Sequence, residues 1–164
     1  MRSYAERLGS DRERWGIVGL VHDFDYERHP NAEHWPSSGH PAEGVRILRE
    51  KGYPQDILDA ILGHASYTGV PRATTMAKAL FAVDELTGLV AATALVRPSR
   101  SVHDVDAPAV RKKMKDKAFA RGVSREDIVA GAADLGVDLD EHIGVVVGAM
   151  RSVAPTLGLA GPTG

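Results

Sequence analysis

The sequence predicts an all-α fold, on three observations. Apolar residues recur at helical spacing, as in Ile57, Leu58, Ile61 and Leu62 at i, i+1, i+4 and i+5. Residues that start helices, chiefly Ser, Thr, Asp and Pro, stand before the periodic runs, and Gly or Pro follows several of them. Strand signals are weak, with no convincing set of alternating segments from which to build a sheet.

The elements follow in order. Ser10-Asp11-Arg12-Glu13 has capping-box spacing and opens a helix expected to run to about Phe24. Pro41 suits the first turn of a second helix over about 41–51, which Gly52 stops. Pro54 starts a third, ending near His64. Thr74 or Thr75 caps a long fourth helix to about Val96, and Pro98 prevents its continuation. Pro108 begins a basic helix expected to reach about Arg121. Ser124-Arg125-Glu126-Asp127 opens the next, to near Gly136, and Asp138 caps the last, over about 139–152. That makes about seven helices in one domain, 1–152. The Gly- and Pro-rich residues 153–164 are expected to be a flexible tail.

Composition narrows the function classes. The chain has 164 residues, 43% hydrophobic and 26% charged, with a net charge of −2. That balance argues against nucleic acid or an anionic membrane as partner. There is no cysteine, which removes disulfides, thiolate nucleophiles and sulfur-ligated metals. Any metal must be held by His, Asp or Glu. The most apolar window, about 76–96, contains Lys78, Asp84 and Glu85, so it reads as a core helix and not a membrane span. With no signal peptide visible, a cytoplasmic location is expected. A homodimer is compatible with everything read so far.

Three apolar segments each carry metal-competent side chains. His22 and Asp23 end the run Gly19-Leu20-Val21, His64 closes Ile61-Leu62-Gly63, and Asp84 interrupts Ala79-Leu80-Phe81-Ala82-Val83. Burying a carboxylate without compensation costs several kcal/mol, and a shared cation would compensate all three segments. Adjacent residues diverge by ~100° on a helix, so His22 and Asp23 converge only at its last turn. His40, immediately before a helix, is a further candidate. His29, His34, His103 and His142 lie in polar contexts and read as surface residues. The run Arg111-Lys112-Lys113-Met114-Lys115-Asp116-Lys117 reads as a solvated helix face.

Taken together, His22-Asp23, His40 in His40-Pro41-Ala42-Glu43-Gly44, His64 and Asp84, separated by 17, 24 and 20 residues, resemble the HD-domain superfamily of metal-dependent phosphohydrolases. The resemblance covers about residues 3–152 and implies an HD-type helical bundle. It implies that His22, Asp23 and Asp84 are three ligands of the basic metal site. His40 and His64 would be added ligands in a dinuclear form that Asp23 bridges. One departure is plain: the family's first ligand is a histidine upstream of the His-Asp pair, and no histidine precedes His22. The chain therefore looks shortened at its N-terminus, which predicts a weaker site; His29 and His34 are conceivable substitutes.

The implied activity is hydrolysis of a phosphomonoester or nucleotide by water activated on one or two divalent ions, Mn, Fe, Co, Ni or Zn. Asp23, Asp25 and Lys78 are the residues expected to carry the chemistry, Asp25 by orienting a water or a ligand imidazole. Arg72, Lys78 and Arg97 are the cations expected around the phosphate, whereas Glu85 points away from Asp84 by ~100°. Two alternatives differ in class: a two-iron oxygenase of the same superfamily, and a metal- or nucleotide-binding module whose catalysis is degraded.

Overall fold

The computed structural model describes residues 1–162, and the described residues are helical with no strand. Eight α-helices are present among them: α1 (Arg2–Arg7), α2 (Arg12–Val21), α3 (Ala42–Glu50), α4 (Gln55–His64), α5 (Thr75–Leu95), α6 (Ala107–Met114), α7 (Arg125–Leu135) and α8 (Leu139–Ser152). None is long and apolar enough to cross a membrane. The chain divides into two compact units, Met1–Phe81 and Ala82–Gly164, where the sequence had suggested one domain. The division falls within α5.

In the first unit, α1 is the helix that the sequence reading did not count. Its Tyr4 and Ala5 are buried. The cap of α2 is Asp11 rather than Ser10, its side chain accepting from the Arg14 amide at 2.9 Å. The core gathers Trp15, Val18, Val45, Leu48, Ile57, Leu58, Ile61 and Leu80. Arg14 Nη2 reaches both oxygens of Asp56, at 2.6 and 2.7 Å, and so pins α2 to α4. Thr74 caps α5, its hydroxyl accepting from the Ala77 amide.

The second unit has its own core of Leu86, Leu89, Val90, Val110, Ile128, Ile143 and Val147. At Gly131, α7 comes so close to α5 that a Cβ there would lie 2.6 Å from the Ala82 Cα. His142, read from sequence as a surface residue, is fully buried, and its Nε2 is 2.8 Å from the Ala82 carbonyl. Burial pushes its pKa below the ordinary 6.5, against a smaller opposing effect of that hydrogen bond, so the imidazole is held neutral as a donor to the carbonyl.

Two further expectations differ from the structure. The basic helix stops at Met114 and does not reach Arg121. Beyond it the Asp116 carboxylate accepts from the Ala118 amide, a local bond that competes with helix. The Arg125 guanidinium then gathers the carbonyls of Phe119, Ala120 and Val123, which holds the segment as a loop. The tail expected to be flexible is packed: Ala154 and Leu159 are buried, and the Leu159 carbonyl accepts from the Val102 amide at 2.9 Å. Its last two residues lie outside the described residues.

Candidate metal centre

The site is assembled by the ends of two helices and one loop of the first unit. Helix α2 ends at Val21, short of the expected Phe24, so His22 is its C-cap and Asp23 falls in the following turn. The chain then runs through a loop and returns at His40, whose amide donates to the His29 carbonyl at 2.7 Å. His64 is the last residue of α4.

Each histidine spends its Nδ1 on an acceptor that has no hydrogen to give. His22 Nδ1 lies 3.0 Å from the Gly19 carbonyl, and His64 Nδ1 contacts the Ile61 carbonyl. His40 Nδ1 lies 2.8 Å from Asp25 Oδ1. Nδ1 is therefore the protonated nitrogen in all three rings, and each Nε2 presents its lone pair.

These lone pairs converge on Asp23. The Nε2 atoms of His40 and His64 are 3.1 Å apart, and stand 3.3 and 3.5 Å from Asp23 Oδ1. His22 Nε2 stands 3.2 Å from the other oxygen, Oδ2. One carboxylate thus faces imidazoles on both of its oxygens. Lone pairs held this close to each other and to an anionic oxygen repel unless a cation or proton joins them. Asp23, His40 and His64 each offer a ligand atom within 4.8 Å of the others, so the trio could hold a metal ion.

Burial raises the pKa of Asp23, but wherever the rings are protonated the hydrogen bond and charge of His22, with the charges of His64 and His40, outweigh it and leave the carboxyl below its ordinary value. The carboxylate is therefore the form the site favours. Its side chain is 48% exposed, so the premise of a buried Asp23 is corrected. The chain has already left the helix at that point. The buried carboxylate is Asp25, 2% exposed, and it accepts from both His40 and the Gly44 amide, the latter at 2.8 Å.

The remaining candidates are placed as follows. Arg72 Nη1 donates to the Gly63 carbonyl at 3.1 Å, and its guanidinium lies 3.8 Å over the Phe81 ring, so it braces the end of α4 beside His64. Lys78 is half-buried on the first part of α5. In the second unit, Asp84 is half-buried on α5 and Arg97 follows that helix. His34 stacks on Tyr67 with ring centroids 4.6 Å apart, and neither His29 nor His34 is in the donor trio.

Three supporting residues escaped the sequence reading. Tyr67 Oη and Asn31 Nδ2 both donate to the His40 carbonyl, at 2.8 and 2.9 Å. Gly44 packs so tightly on Asp25 that a Cβ would meet its Cγ at 2.6 Å. Only the Gly44 position carried a signal, a helix-destabilising residue inside a helix. The model of one protein family, described as HD domain, matches residues 1–135. No curated protein and no solved structure matches the chain.

Proposed function

We propose, since this chain belongs to the HD-domain family, that it is a metal-dependent hydrolase of small phosphomonoesters, nucleotides included. The observation that carries this reading is the convergence of three oriented imidazole Nε2 atoms on the two oxygens of Asp23. An all nitrogen-and-oxygen donor set with no thiolate suits Mn, Fe, Co, Ni or Zn. His22, Asp23, His40 and His64 would hold the metal, and the family pattern adds Asp84. The chemistry a bound ion would supply is Lewis acidity towards water and a phosphoryl oxygen.

The chain's own residues do the rest. Asp25 fixes the ring plane and tautomer of His40, and so acts as a positioning residue. Arg72, spent on Gly63 and Phe81, serves His64 before it serves substrate. Lys78 is the cation we assign to the substrate phosphate. A cytoplasmic location belongs to the same reading.

Elemental analysis of the purified chain, paired with a phosphate-release screen over phosphomonoesters, tests it. The expected result is bound transition metal and turnover, both lost in Asp23→Ala. Phosphate release that survives Asp23→Ala would place the chemistry elsewhere.

A further inference from the structure

The aromatic residues of this chain are distributed in a way the metal centre does not require. There are three Phe, four Tyr and two Trp. Tyr4, Trp15 and Phe81 are buried, and Tyr53, Tyr67 and Phe119 are half-buried. Every exposed one, namely Phe24 at 47%, Tyr26 at 57% and Trp35 at 61%, lies between Asp23 and His40. Rings of this size normally bury most of their surface, and exposing three of them beside one site leaves binding energy unspent.

These rings are displayed from a braced loop. The Tyr26 amide donates to the Asp23 carbonyl at 3.0 Å, and its ring meets the His40 ring edge-on with centroids 5.2 Å apart. Tyr26 thereby lies against the edge of the donor trio. Asn31 clasps Trp35 from both sides, Oδ1 accepting its amide and Nδ2 donating to its carbonyl, each at 2.8 Å. The same Nδ2 holds the His40 carbonyl. An exposed tyrosine ring beside the proposed centre suits the stacking of a planar group, because its two side-chain torsions cost little to restrict on binding.

We propose that the loop from Phe24 to Trp35 is an aromatic subsite, with Tyr26 as its stacking ring, and that the substrate joins its phosphate to a planar aromatic or heteroaromatic group. This rests on the hydrolase reading above and narrows it. A simple sugar or polyol phosphate offers nothing to Tyr26, whereas a ring-bearing one gains a stacking contact.

The test compares adenosine 5′-monophosphate with ribose 5-phosphate on the metal-loaded full chain. Both release phosphate from a primary 5′ alkoxide, and they differ in the base that replaces the anomeric hydroxyl. The expected result is a kcat/KM on the order of tenfold higher for the nucleotide. Tyr26→Ala should bring the ratio towards one, and Tyr26→Phe should keep it. Equal kcat/KM values, or a preference that survives Tyr26→Ala, would overturn the subsite.

Binding is read separately, by quenching of tryptophan fluorescence with adenosine 5′-monophosphate. Trp15 is buried and Trp35 exposed, so the signal should come from Trp35 and vanish in Trp35→Phe. Should no ester be hydrolysed, the hydrolase reading fails alone; saturable quenching would still support the aromatic subsite, and its absence would overturn it.

Discussion

Asp25 is held between the His40 ring and the Gly44 amide, at 2.8 Å from each, with almost no exposure to water. It cannot turn without leaving one of these donors unpaired. In Asp25→Asn the amide keeps the volume but loses the charge that aligns the His40 Nδ1–H. Supporting partners of metal-bound histidines are worth about 10- to 100-fold in metal affinity, and a loss of that size is expected here. Gly44→Ala should act the same way, because its Cβ would lie 2.6 Å from the Asp25 Cγ. Calorimetric titration with Mn or Zn decides the matter, and an unchanged Kd in both variants would free Asp25 of its positioning role. His142 offers a test of a different kind. Its pKa is lowered by burial, so below 6.5 the unfolded chain takes up a proton that the folded chain refuses. The contribution to stability is complete above that pH and is lost as pH falls through the lowered folded-state value. Denaturant midpoints at pH 7.5 and 5.0 should therefore differ more in the parent chain than in His142→Gln, whose amide can still donate to Ala82. Equal differences would mean that His142 does not couple stability to protons.

At the scale of elements, α7 crosses closely over α5 in the second unit, at Gly131. Gly131→Ala gains helix propensity of about 1 kcal/mol. The new Cβ, however, would meet the Ala82 Cα at 2.6 Å, a backbone atom that cannot rotate away. Overpacking of this kind costs typically 1–3 kcal/mol, so a net loss of stability is expected, read as a lower denaturant midpoint. A midpoint that rises would show that the two helices can separate at no cost. The helices themselves were largely legible, because starts are written in short-range chemistry. Asp106, Ser124 and Asp138 each cap the helix that follows with their own side chain. Ends were less legible where their cause lies far along the chain. The stop of α6 at Met114 is secured by Arg125, nine residues past Asp116, and nothing in the basic run announces that. The packed tail depends on Val102 receiving Leu159, a pairing across more than fifty residues. Helix α1 does not register by periodicity because six residues, Arg2–Arg7, hold too little of it.

For the molecule as a whole, the residues that converge around Asp23 could be named from sequence, but their orientation could not. His22, Asp23, His40 and His64 stand out as polar groups at the ends of apolar runs. That His40 is aimed by Asp25, and His64 by the Ile61 carbonyl, follows only from the packing of α2, α3 and α4 around one core. The same packing brings imidazoles to one carboxylate before any ion arrives, so a metal should bind the folded chain and not the unfolded one. Binding of that kind stabilises by mass action, by about 2.7 kcal/mol at a free metal concentration one hundred times Kd. In a chain of this length each kcal/mol moves Tm by about 2–4 °C, so saturating Mn or Zn should raise Tm by roughly 5–10 °C. A chelator should return it to the metal-free value. Asp23→Ala removes the carboxylate that both sets of imidazoles face, so this variant should show no metal-dependent rise. Thermal melts of the two chains, with and without metal, are sufficient. An equal rise in both would mean that the stabilising ion binds away from Asp23, and the proposed centre would fall with it.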